Sequence, residues 1–220
     1  MMTYDLSSIK LAMGSWLGIP STDTRRLPDD VREDIINELS DDLAKRRDWP
    51  FLVTQMATAT LAAGQYQVTL PANFARVYSV HFKDNAGNAS FEPQAQLFEE
   101  WIATYPDPTD ASTWGSPSNA ALQGRTTLLI GPPPSAAGWT VVLWYYKFPA
   151  TLTGAVTTNE ITANLGRVLR LYAVAEAADF IMEPDRAQAF RAKADAALAT
   201  EDIDQTDAQR LNQRPMLEEP

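Results

Sequence analysis

Cysteine is absent from the 220 residues, and histidine occurs once, at His81. The first absence excludes disulfides, thiolate metal sites and cysteine nucleophiles together. The second leaves a serine triad a single imidazole to use as base. In Arg76-Val77-Tyr78-Ser79-Val80-His81-Phe82, strand alternation places that histidine on a face with Val77 and Ser79. No Gly-x-Ser-x-Gly turn accompanies it, so a structural or surface histidine is expected. There is no Walker loop or Gly-x-Gly-x-x-Gly, and Gly14 and Gly18 fall at a helix and its end rather than after a strand. No apolar run approaches the ~18 residues of a membrane helix. Met1-Met2-Thr3-Tyr4-Asp5 carries neither a basic segment nor an apolar core, so neither secretion nor membrane insertion is expected. Positive charge is also scarce: 18 Lys and Arg face 28 Asp and Glu, for a formal net charge of −10. That balance argues against a surface built to hold nucleic acid by neutralising phosphates.

What is present is a β segment held between helical ends. Residues 126–130 and 139–146 read as β-branched and aromatic strands on either side of Gly131-Pro132-Pro133-Pro134, where three rings remove backbone donors and force a turn. Further short strand candidates lie at 51–58, 66–70, 76–82, 89–92 and 119–122, and 95–105 has the spacing of a short helix. Toward the start, residues 4–17 put Leu6, Ile9, Met13, Trp16 and Leu17 near one helical face, with Ser7 or Asp5 as cap. A second helix opens at Pro28, has Asp29 and Asp30 at its positive end and Lys45-Arg46-Arg47 at its negative end, and carries the stripe Val31, Ile35, Leu39, Leu43 broadened by Ile36. Residues 151–162 read as a polar connection. A helix is expected over 165–182, a break at Glu183-Pro184-Asp185, and a last helix over 186–200. The expected fold is α+β. Residues 1–49 and 160–200 form a helical bundle, 50–150 an inserted antiparallel β-sandwich or barrel-like domain, and 201–220 an extended C-terminal tail.

Chemistry is thin along this layout. Asp202-Ile203-Asp204-Gln205-Thr206-Asp207 is similar to the opening of a calcium loop, but its sixth position is Asp207 and its twelfth Gln213, so no metal is expected there. Glu92, Glu99 and Glu100 lie near tryptophans that would suit a glycan-degrading enzyme, and Trp101, Trp114 or Trp139 would suit a sugar-stacking platform. The stronger expectation is that these rings fill a β core. Charge complementarity at a helix end accounts for Lys45-Arg46-Arg47 without DNA. The tail offers Arg210, Leu211, Arg214, Met216 and Leu217 as apolar anchors and guanidinium groups suited to ordering against a partner. An unstructured terminus of no consequence fits its composition as well.

Three stretches carry a resemblance: Asp48-Trp49-Pro50-Phe51-Leu52 after an acidic-to-basic helix; Leu70-Pro71-Ala72-Asn73-Phe74 leading into Arg76-Val77-Tyr78-Ser79-Val80; and Leu128-Leu129-Ile130-Gly131 with its prolines, followed by Leu143-Trp144-Tyr145-Tyr146-Lys147-Phe148-Pro149. With Leu171-Tyr172-Ala173-Val174-Ala175-Glu176-Ala177-Ala178 and the trailing helix in the same order, residues 6–200 resemble the head-to-tail connector adaptor proteins of tailed bacteriophages. The resemblance implies a non-enzymatic virion protein without cofactor or metal, a ring, commonly dodecameric, docked beneath the portal protein and leading to the tail or next connector protein. It further implies that DNA passes through the channel without specific binding and that assembly takes place in the host cytoplasm without a membrane. It also implies that terminal helices build the ring and that the segment bearing Arg210, Leu211, Arg214, Met216 and Leu217 reaches the portal. An acidic surplus suits such a channel, because a lining that repels phosphate lets DNA slide. The chain departs from the pattern in a Pro-rich loop at 105–113. The alternative is a carbohydrate-binding β domain of a phage tail or fibre.

Overall fold

The computed structural model describes residues 4–20, 23, 25–84, 86 and 90–212. Helices α1 (Leu6–Leu17) and α2 (Asp29–Arg46) lead into strands β1 (Val53–Gln55), β2 (Ala59–Thr60), β3 (Gln67–Thr69), β4 (Phe74–Lys83), β5 (Ser90–Phe91) and β6 (Gln94–Ala95). Helix α3 (Phe98–Thr104) precedes β7 (Asn119–Gln123), β8 (Thr127–Gly131) and β9 (Thr140–Lys147), and helices α4 (Glu160–Phe180) and α5 (Pro184–Asn212) follow. The fold is α+β. The chain divides into two compact units, Met1–Arg47 with Pro149–Pro220, and Asp48–Phe148.

In the helical unit each end has a local cause. Asp5 opens α1 with a capping box: its carboxylate accepts from the Ser8 N–H at 2.7 Å, and its own N–H donates to the Ser8 hydroxyl at 3.0 Å. Gly18, at φ 68°, closes the helix in the left-handed conformation that glycine adopts without strain. On α2 the buried face is Arg32, Ile36, Leu39, Ser40 and Leu43, whereas Val31 and Ile35 of the expected stripe are only half-buried. Polar side chains rotate the helix onto that face: the Ser40 hydroxyl accepts from Asn159, and Asn37 both accepts from and donates to the Leu152 backbone. The region expected as a polar connection to residue 162 ends earlier. Asn159 caps α4, accepting from the Thr162 N–H at 3.0 Å, while Thr162 returns a bond to the Asn159 N–H. Helix α4 is buried over most of the stretch from Ile161 to Ala178, with Ala163, Asn164 and Arg167 exposed. It runs past Tyr4 at Gly166, where a Cβ atom would lie 2.4 Å from the tyrosine's. The expected break falls at Met182, which takes φ 62°, and Pro184 then opens α5. Helix α5 continues past Thr200 to Asn212, so residues 201–212 are helical rather than extended. They contain neither Pro nor Gly, and nothing local stops the helix.

The β unit is sandwich-like. One sheet has the order β1-β9-β4-β5 with β2 also on β9; the other has the order β3-β8-β7-β6, antiparallel except for β6 with β7. Val68, Leu128 and Ile130 from one sheet meet Val80, Phe82, Val141, Leu143 and Tyr145 from the other in a shared core. The proline turn carries the chain from one sheet to the other, since β8 pairs with β3 and β7 whereas β9 pairs with β1, β2 and β4. Strand β8 is buried on both faces. Leu128 and Ile130 face the other sheet, and Leu129 packs with Ala121 under Trp101 of α3.

Candidate interaction surfaces

Helices α4 and α5 pack on each other through small residues, including Ala173, Ala177, Ala187 and Ala194, all fully buried. Such close packing leaves a groove along either flank of the pair. At about 100° per residue, Arg167, Arg170 and Leu171 fall on one side of α4 and Tyr172 and Glu176 on the opposite side. On α5, Phe190, Lys193 and Ala197 likewise oppose Arg191 and Asp195.

The first groove, of about 650 Å³, is basic and aromatic. Trp16 of α1 stacks on Phe190 at 5.7 Å between ring centres, tilted by 11°. The Arg170 guanidinium lies 4.7 Å from the Trp16 ring and 4.9 Å from the Tyr4 ring, and the Lys193 ammonium lies 5.1 Å from Phe190. Among the described residues, no carboxylate lines this groove and the buried Arg170 Nε has no hydrogen-bond partner.

The second groove, of about 410 Å³, is lined by α2, α4 and α5 and is richer in acid: Glu38, Asp42, Glu176 and Asp195 against Arg46 and Arg191. Its basic groups are already engaged. Arg46 donates to the Tyr172 hydroxyl at 2.9 Å and lies over that ring, Tyr172 donates to Asp195, and Arg191 pairs with Glu176 at 2.9 Å and with Asp179. Burial first, then the bond to Asp195, raises the Tyr172 hydroxyl above the ordinary tyrosine value. Arg46 of the expected basic cluster is thus turned onto α4. Lys45 pairs with Asp42 at 3.8 Å.

In the β unit the residues considered for chemistry are taken up by packing. His81 sits half-buried in β4 opposite Val142. A register shift between Val77 and Ser79 places Val77 against the core, so the three residues do not share one face as simple alternation requires. Trp101 is 3% exposed and stacks on Tyr66. Trp114 lies against Gly64 and donates to the Pro108 carbonyl, and Trp139 meets Phe91 edge-on. Trp114 and Trp139 are half-buried. Glu92 and Glu99 are exposed, and Glu100 accepts from the Leu97 N–H at the start of α3. Asp202 to Asp207 lie within α5 rather than in a loop. Among the described residues, no three His, Asp or Glu side chains group to hold a metal ion. No helix among them is long and apolar enough to cross a membrane.

Of the tail residues, Arg210 and Leu211 fall in the last turns of α5, with side chains outside the described set. Arg214, Met216 and Leu217 lie outside the described residues. The groove residues Arg167, Arg170 and Lys193 escape a reading of the sequence. The one local signal is the three-residue spacing of two arginines beside an otherwise apolar helix.

The family model described as SU10 adaptor protein matches residues 2–216. No curated protein matches the chain.

Proposed function

The chain belongs to the SU10 adaptor protein family, and on that premise we propose that its copies close into a dodecameric ring that docks on the portal protein, joins it to the tail and leaves a channel for DNA. Its role is that of a structural adaptor of a bacteriophage particle. The observation that carries the proposal is the length of the match, which runs through both units and most of the final segment. The surplus of 28 acidic over 18 basic residues supports a channel that repels phosphate and so lets DNA move in either direction. Portal contact falls to the segment bearing Arg210, Leu211, Arg214, Met216 and Leu217, whose apolar anchors and guanidinium groups are of the kind that carry binding energy.

Deleting residues 213–220 tests the portal contact. The truncated protein is expected to keep the helical circular dichroism of the full chain and to fail to co-sediment with portals. Full docking by the truncation would remove Arg214, Met216 and Leu217 from the contact.

A further inference from the structure

We propose that the two grooves flanking α4 and α5 are the two halves of one contact between copies of this chain, the acidic groove of one copy receiving the basic groove of the next. This deepens the ring proposed above and rests on it. The grooves lie on opposite sides of the same helix pair, so a contact that joins them is heterologous. Such contacts propagate head to tail and close into rings when the rotation permits. Their charges are complementary. Arg167, Arg170 and Lys193 line one, with no carboxylate beside them among the described residues, while Glu38, Asp42 and Asp195 contribute to the other.

A second copy fits better than nucleic acid. A polyanion would occupy the basic groove and leave the acidic one without a role, on a chain whose net charge of −10 opposes its approach. A neighbour of the same sequence supplies both signs at once. The contact is partly exposed, so it should weaken as salt rises.

Charge exchange tests the pairing with exposed residues whose substitution leaves the fold intact: Arg167, Lys193, Glu38 and Asp42. One variant carries Arg167→Glu with Lys193→Glu, a second carries Glu38→Lys with Asp42→Lys, and a third carries all four. Native mass spectrometry, alone and on the portal, is expected to find each two-site variant shifted from ring to monomer. Assembly is expected to return when the two variants are mixed, and in the four-site variant. Two-site variants that assemble like the wild type, or no rescue by mixing or by the four-site exchange, overturn the pairing while leaving the ring standing. A wild-type chain that never forms a ring, alone or on the portal, overturns the ring and the pairing with it. Binding of a single-stranded oligonucleotide that is lost in the Arg167→Glu, Lys193→Glu variant, with assembly unchanged, assigns the groove to nucleic acid instead.

Discussion

The helical and β units both exclude water from their interiors, but the helical unit mixes small side chains among its bulky ones. At the centre of the helical unit α4 is small, with Ala173, Ala175, Ala177 and Ala178 fully buried, so its neighbours approach closely and their longer polar side chains are left to edge the grooves. The β unit is filled by bulk instead: Phe82, Leu128, Ile130 and Leu143 between the sheets, and Trp101 under α3. Several of its aromatic rings are taken up in packing, with Phe82 meeting Phe91 edge-on and Trp101 tilted against Tyr105, while Tyr78 and Trp144 stay exposed. Charges at helical spacing beside a groove give the helical unit a directed surface, whereas the β unit exposes uncharged side chains, Tyr78, Leu97 and Trp144 among them.

The comparison is tested most strongly at the two centres. Leu169 in α4 and Leu143 in β9 are both fully buried, and Leu→Ala at either should cost about 2–5 kcal/mol in denaturant unfolding. A markedly smaller loss at Leu169 would mean that the small-residue centre relaxes to fill the gap. Next comes the close approach itself. Gly166→Ala forces a methyl group against Tyr4 and should cost about 1–3 kcal/mol, whereas Gly154→Ala, with nothing within 4 Å, should unfold like the wild type. Equal effects at the two glycines would remove the argument for close packing at α4.

Asn159→Ala should cost about 0.5–2 kcal/mol through loss of the α4 cap, with its bonds to Ser40 and the Ala150 carbonyl lost as well. A thermal melt by circular dichroism reads it. The smallest effect is at Asp5, whose carboxyl is held below the usual aspartate value by the Ser8 N–H and then the Ser7 hydroxyl. The fold favours the ionised form, so this contribution is complete above the unfolded aspartate value and is lost as pH falls through the depressed one. Asp5→Ala should slightly flatten the acid limb of the melting temperature against pH. An unchanged limb would mean that the cap contributes through its neutral form.

Elements with local signals at both ends were legible in the sequence. Helix α2 runs from Pro28 and its two aspartates to Lys45 and Arg46, and the strands around the proline turn fall within a residue or so of expectation. What escaped depends on contacts distant in sequence. The start of α4 is the exception, since Asn159 and Thr162 cap it locally, but the strand shift that parts Val77 from Ser79 and His81 arises only against β9. Residues 201–212 are polar enough to read as tail, yet they lack a breaker and extend α5. The grooves were least legible. Arg170 and Lys193 are far apart in the chain and become neighbours only when α4 and α5 pack together, and the acidic flank also draws on α2.

The most direct test of the adaptor account is the mass of the purified full-length chain, alone and mixed with its own portal protein, by native mass spectrometry or light scattering. The account predicts a monomer or ring that joins the portal as one large assembly. A stable monomer indifferent to the portal at every ratio would contradict it.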